Sequence, residues 1–370
     1  MPYSGKRKEK SDVNSRNANG NTRKRGTKGA TWAGLLAVII VGISTKVFGD
    51  GYESIGLGGF SPDGQKLLLT ACKEDKCTFG YFDFAGYRFV PVSPFAKDQT
   101  WSFGSYSPDG KHIAVAIRRF ADGGSDSQIG IVDIEGKRVI EVTEGQGFRA
   151  APSFSADGKT IIFARSNRQR RSGKTRFSDW DVYELTLTTR TERQLTDFKF
   201  FSLVSPAYVQ DGSRFIFSGE GPRNPGAERG QMGSEDRRHL QGSRIFLLSR
   251  GEKRLVPLFG EGAYASFPQM SKDGRKIVYA KRTDIEDGIR TRYAYDLFLH
   301  ENGTHRRLTH QHATVMGASM MADGAAVAFV TDAPSGAYKN NHRMQLWLLR
   351  LESLALSRVD LATGRLPISE

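Results

Sequence analysis

Three histidines crowd one short stretch near the end of this 370-residue chain: His305, His310 and His312 in THRRLTHQHATV. Imidazoles at that density could hold a divalent metal. If the segment around His310 is extended, His310 and His312 share a face and form a two-ligand site. A metal site needs further ligands at the same level. The corresponding positions elsewhere, around Trp101, Arg149, Leu203 and Tyr264, offer no ring of His, Asp or Glu. Solvated loop histidines are the competing reading, and the residues assign no metal and no cofactor. Other chemistries lack their motifs: there is no Gly-x-Ser-x-Gly elbow, phosphate loop, His-Glu-x-x-His, EF-hand loop or Cys-rich knot. No catalytic residue is assigned, and binding is expected ahead of catalysis.

A second constellation is basic. Arg165, Arg168, Arg170, Arg171, Lys174 and Arg176 stand against Asp179 alone in RSNRQRRSGKTRFSD, a net charge of +5 over residues 165–179. Guanidinium groups in such a cluster suit phosphorylated or acidic polymers, lipid head groups or an acidic partner protein. A solvated insertion is the bland alternative. Trp101 and Tyr264 fall at comparable places between strand-like runs and could floor the same surface, or pack between neighbouring elements. We take those six basic residues with Trp101 and Tyr264 as the candidate binding set.

The whole chain carries +14, but half of that excess precedes any foldable sequence, since residues 1–29 carry a net +7. That removes much of the case for nucleic acid, and none is expected as a partner. The stretch 1–29 is nearly devoid of apolar side chains and reads as a disordered basic tail. Residues 30–49, ATWAGLLAVIIVGISTKVFG, are apolar all round and long enough to span a bilayer if Lys46 snorkels. Of a signal-anchor, a cleaved signal and a buried helix, the anchor fits best: the run has no polar face, and the exit STKVFGD is a poor small-x-small cleavage site. The basic tail then stays cytoplasmic, and everything after about residue 50 lies across the inner membrane, on the periplasmic side of a single-pass protein. The only cysteines, Cys72 and Cys77, bracket KEDK. With Glu74 and Asp75 as a two-residue hairpin loop they face each other at a non-hydrogen-bonded position, where a disulfide fits an oxidising compartment. Two free thiols in a reducing compartment are the alternative.

The elements that must position these residues repeat six times. FSPDGQKLLLTA, YSPDGKHIAVAI, FSADGKTIIFAR, YVQDGSRFIFSG, MSKDGRKIVYAK and MADGAAVAFVT place Asp-Gly pairs at Asp63, Asp109, Asp157, Asp211, Asp273 and Asp323. Spacings of 46, 48, 54, 62 and 50 residues match a four-stranded propeller blade with the excess in loops. The Asp bonds to nearby backbone and the Gly takes positive φ, so each turn opens a hairpin and these six aspartates are structural. The runs that follow are almost continuously apolar, as strands covered on both faces are. Third strands follow (FGYFDF, QIGIVDI, DVYELTL, SRIFLLS, YDLFLH, QLWLLRL), then more polar fourth strands, including KRLVPL at 253–258. First strands such as GLGGF and APSF are small-residue rich, suited to a crowded hub. The long connections 118–127, 165–179, 219–244, 281–293 and 332–342 all open on one face as loops.

This order, with Gln194-Leu195-Thr196 and Arg307-Leu308-Thr309 closing two units, resembles the TolB-type, WD-like propeller repeat over about residues 50–365. The resemblance implies an all-β, six-bladed β-propeller preceded by the tail and one transmembrane helix. Pro is replaced in the last four turns, and the separate N-terminal domain of TolB is not discernible, so TolB's own partnerships do not transfer. The expected role is a scaffold in the cell envelope that binds a protein or an acidic component. A metal-dependent lyase or lactonase acting on an acidic sugar is the alternative.

Overall fold

The computed structural model describes residues 54–121, 124–135, 138–172, 174–209, 212–221, 242–259, 264–286, 291–310, 313–332, 344–359 and 361. The expected tail (1–29) and anchor (30–49) lie outside these residues. Among the described residues no helix is long and apolar enough to cross a membrane.

Among the described residues all regular structure is β. The first antiparallel unit runs β1 (Ser54–Phe60), β2 (Lys66–Lys73), β3 (Lys76–Asp83) and β4 (Arg88–Pro91). The second runs β5 (Gln99–Tyr106), β6 (His112–Ala121), β7 (Gly124–Asp133) and β8 (Arg138–Glu141). The third holds β9 (Phe148–Phe154), β10 (Thr160–Ser172), β11 (Lys174–Thr186) and β12 (Thr191–Gln194), and the fourth β13 (Ser202–Val209), β14 (Arg214–Glu220) and β15 (Ser243–Ser249). The fifth holds β16 (Ala265–Met270), β17 (Lys276–Glu286), β18 (Thr291–Glu301) and β19 (Thr304–Arg307). The last holds β20 (Val315–Met320), β21 (Ala326–Thr331), β22 (Gln345–Arg350) and β23 (Leu356–Val359). The second and third units merge into one eight-stranded sheet through a single parallel pair, Ser127 with Phe148.

The second strand of each unit explains why its residues are apolar on both faces. In β2, Leu67 and Leu69 pack into a core shared with Ala326, Ala328 and Val330 of the last unit, while Leu68 packs with Phe79 against Ile113 and Val115 of the second. Each adjacent pair of units shares such a core, and the last unit shares one with the first. The sheets therefore form a closed β-propeller, held chiefly by apolar burial between flat faces.

The Asp-Gly turns take the expected form. Gly64, Gly110, Gly158, Gly212, Gly274 and Gly324 have φ between 69° and 79°, a range that strains any side chain. Four turns add a serine hydroxyl that sequence reasoning did not use: Ser61 Oγ donates to Asp63 Oδ1 at 2.5 Å and accepts the Lys66 N–H at 2.9 Å, and Ser107, Ser155 and Ser271 repeat the arrangement. These hydroxyl bonds hold Asp63, Asp109, Asp157 and Asp273 below the usual carboxylate range. At the hub, a Cβ on Gly58 would lie 2.7 Å from Leu68 Cβ and one on Gly104 2.5 Å from the Phe79 ring. Small residues there admit the neighbouring sheet.

Two expectations are corrected. The fourth strand at 253–258 does not form; that segment touches β15 through the single bridge Phe246 to Pro257. Pro257 has no N–H with which to extend a ladder. Conversely, three of the five long connections are strand rather than loop. The β6–β7 pairing continues to Ala121 with Gly124, β17–β18 to Glu286 with Thr291, and β10–β11 to Ser172 with Lys174. Polar side chains do not oppose a ladder, and pairing satisfies backbone groups that a loop would leave to water. The connections 219–244 and 332–342 lie largely outside the described residues.

Candidate functional site

The Cys72–Cys77 pair is a disulfide with Cα atoms 4.1 Å apart, opposite each other in the β2–β3 register. Lys73 faces Lys76 around Glu74 and Asp75, and Glu74 supplies the positive φ of the turn, 56°. The other edge of Cys77 exchanges both backbone bonds with Ala96, at 2.8 and 3.0 Å. Cys77 therefore has no ladder bond to Cys72, and this is the non-hydrogen-bonded position read from the sequence.

The basic cluster lies on the ribbon formed by β10 and β11. Register pairs Arg168 with Ser178, Arg170 with Arg176 and Ser172 with Lys174. The side chains of residues 168–176, hence those of Arg168, Arg170, Arg171, Lys174 and Arg176, lie outside what the structure describes. Arg165 is described, and its charge is engaged within the protein: Nη1 donates to Glu192 Oε2 at 2.6 Å, Nη2 reaches the Gln146 carbonyl, and the guanidinium lies 5.1 Å from the Tyr183 ring centre. Glu192 also binds Arg149, whose side chain is 1% exposed and whose Nη2 donates to the Glu144 carbonyl at 2.7 Å. Burial lowers the Arg149 pKa against the pull of Glu192. Arg149 is a structural anchor that no local sequence signal marked, because its partner lies 43 residues away.

Around the base of the ribbon the structure assembles aromatic rings and cations that the sequence scatters. Phe148 packs against Phe177 in a tilted pair at 4.1 Å and meets Trp180 edge-on at 5.9 Å. The Arg118 guanidinium lies between Phe120, at 4.7 Å, and Phe148, at 5.1 Å, and burial draws its pKa down to about 10. Cation–π contacts of this kind stabilise by about 0.5–1 kcal/mol when exposed and more when desolvated. Beneath them Ser127 Oγ donates to the Arg149 carbonyl at 2.5 Å, beside the parallel Ser127–Phe148 pair. The second and third units are thus hydrogen-bonded to each other directly below the ribbon.

Trp101 and Tyr264 are not gathered there. Trp101 is 8% exposed and packs between the first two units near Phe79, with its carbonyl accepting Thr70 Oγ1 at 2.7 Å. Tyr264 lies under the Arg282 guanidinium at 4.7 Å, just before β16. Of the histidines, His310 is exposed, His312 lies outside the described residues, and His305 meets the Tyr279 hydroxyl at 2.7 Å. Among the described residues no group of three or more His, Cys, Asp and Glu side chains is placed to hold a metal.

The Leu-Thr endings have a structural role. Thr196 and Thr309 bridge from the end of the fourth strand to Asp181 and Asp296, fully buried on the third strands, and each also accepts a backbone N–H there. Thr143 does the same with Gln128. Burial pushes the Asp181 carboxyl up to about 7, despite bonds from Thr196 and the Phe198 and Lys199 N–H groups. A second clamp joins the third and fourth units, where Glu184 accepts the Tyr208 hydroxyl at 2.6 Å and Arg250 Nη2 at 2.6 Å. Burial raises the Glu184 pKa, but these partners outweigh it and hold the group low.

No protein-family model matches the chain, and no curated protein does. Solved structures do match. TolB from Acinetobacter baumannii aligns with a TM-score of 0.55 at 19% identity, over 86% of this chain and 66% of that one, so the chain spans just under two thirds of that TolB's length. An oligogalacturonate lyase in complex with manganese aligns with a TM-score of 0.50 at 16% identity, over 84% of this chain and 77% of that one. A second oligogalacturonate lyase, from Vibrio parahaemolyticus, gives 0.50 at 13% identity, over 83% and 77%. The chain has the fold of a TolB-type β-propeller.

Proposed function

We propose that this chain is a membrane-anchored, six-bladed propeller whose second and third blades present a basic ribbon to an acidic partner protein or envelope component. The six units, each with one Asp-Gly turn, are the six blades. Residues 30–49 would cross the inner membrane once, with the basic tail in the cytoplasm and the propeller in the periplasm. The Cys72–Cys77 disulfide supports an oxidising compartment. The observation that carries the reading is the junction at Ser127 and Phe148. There two blades share backbone hydrogen bonds, and aromatic rings sandwich Arg118 at the foot of the ribbon. A preorganised, aromatic and arginine-rich platform is the composition of recognition hot spots.

Replacing Arg168, Arg170 and Arg171 with Glu tests it. Capture of an acidic partner at low ionic strength should be lost with the fold intact by circular dichroism; undiminished capture rejects the ribbon. TolB from Acinetobacter baumannii and an oligogalacturonate lyase in complex with manganese share this fold, so the second reading is a metal-dependent lyase or lactonase acting on an acidic sugar at the channel. Its motivation is that likeness together with His310 and His312. Incubating the chain with manganese and oligogalacturonate, and following unsaturated product at 235 nm (roughly the absorbance expected of a conjugated uronate), would separate the two.

A further inference from the structure

Away from the ribbon, the hairpin of β18 and β19 places two imidazoles side by side, their planes inclined by 40°. His300 and His305 are direct partners across the strands, closed by Asn302 and Gly303 at φ of 51° and 75°. Their ring centres are 4.5 Å apart. His300 Nδ1 is buried and has no hydrogen-bond partner among the described residues. His305 Nδ1 is tied to the Tyr279 hydroxyl at 2.7 Å, and Phe259 packs against both rings, at 5.1 and 4.9 Å.

We propose that His300 and His305 form a two-nitrogen site for a borderline divalent transition metal, zinc or copper. A metal–nitrogen bond of about 2.1 Å puts each ring centre roughly 3 Å from the ion. A 4.5 Å separation then corresponds to a ring–ion–ring angle near a right angle, within reach of small side-chain rotations. With Nδ1–H of His305 donating to the Tyr279 oxygen, Nε2 presents its lone pair, the usual outer-shell arrangement of a metal-binding histidine. The unpartnered His300 nitrogen is the second donor, and water completes the shell. His305 is exposed, which provides the way in. The Lys281 ammonium acts electrostatically on His305. The same ammonium, with the neighbouring Arg306, opposes a bound cation and favours an exchangeable ion over a permanent one.

Zinc alone, titrated calorimetrically into the full-length chain freed of metal, should bind one ion per chain. Copper should show two-nitrogen coupling by electron paramagnetic resonance. His300→Ala and His305→Gln should each weaken binding at least ten-fold, His112→Ala should leave it unchanged, and Tyr279→Phe should weaken it less than either ligand change. His305→Gln alters an exposed residue, so it keeps the test valid should His300→Ala unfold the protein. Absence of a stoichiometric ion, or affinity unchanged in His305→Gln, overturns the site.

Discussion

The Thr196 hydroxyl donates to Asp181 Oδ1 at 2.9 Å while accepting the Val182 N–H at 2.9 Å. One side chain thereby fastens the outer strand of the third unit to the strand inside it and supplies a bond to a carboxylate sealed from solvent. Thr309 and Asp296 repeat the contact in the fifth unit. Thr196→Val should cost about 1–3 kcal/mol, because it leaves a buried acceptor and a buried N–H short of partners. Urea denaturation of the two proteins reads this directly.

Asp181 makes stability depend on pH. Its carboxyl is raised from an ordinary 3.8 to about 7 in the folded chain. Through that window the folded state keeps a proton that the unfolded state has released, so this group's contribution falls as pH rises. Asp181→Asn should flatten that part of the curve of denaturation midpoint against pH. An unchanged slope would mean that the carboxylate is ionised in the folded protein at pH 5.

Arg149 and Arg165 share Glu192 but should differ in weight. Arg149→Ala empties a buried site and leaves Glu192 with Arg165 alone, and the expected loss is about 1.5–3 kcal/mol. Arg165 is 25% exposed, and its alanine variant should cost about 1 kcal/mol or less. Equal losses in the denaturation midpoint would contradict this ranking.

The disulfide closes a loop of few residues, so its contribution should be modest. The Cys72→Ala/Cys77→Ala double variant should lose about 2 kcal/mol. Reductant should lower the thermal midpoint of the wild type and leave that of the variant where it is.

Phe177 ties the ribbon to the propeller through its tilted packing on Phe148. Phe177→Ala should leave the thermal midpoint within a few degrees and accelerate tryptic cleavage among Arg168, Arg170, Arg171, Lys174 and Arg176. Equal cleavage rates would show that the ribbon is held by other means.

Six copies of one turn, each followed by a doubly apolar strand, were enough to read the β-propeller. Pro, Asp and Gly act through local backbone geometry, and Leu67, Leu68 and Leu69 announce two buried faces by having no polar alternation. The Cys72–Cys77 pairing was legible for the same reason, since a two-residue hairpin dictates its own register. Contacts between distant positions were not legible. Glu192 lies 43 residues from Arg149, Phe148 sits on a different strand from Arg118, and Pro257 leaves a single bridge where composition alone would place a fourth strand. Residues 165–179 looked like a charged loop because polar sequence marks both loops and exposed ribbons; pairing between β10 and β11 made it a ribbon. Local chemistry determined the repeating unit, while closure of the ring decided which side chains meet, because that depends on where the chain returns in space.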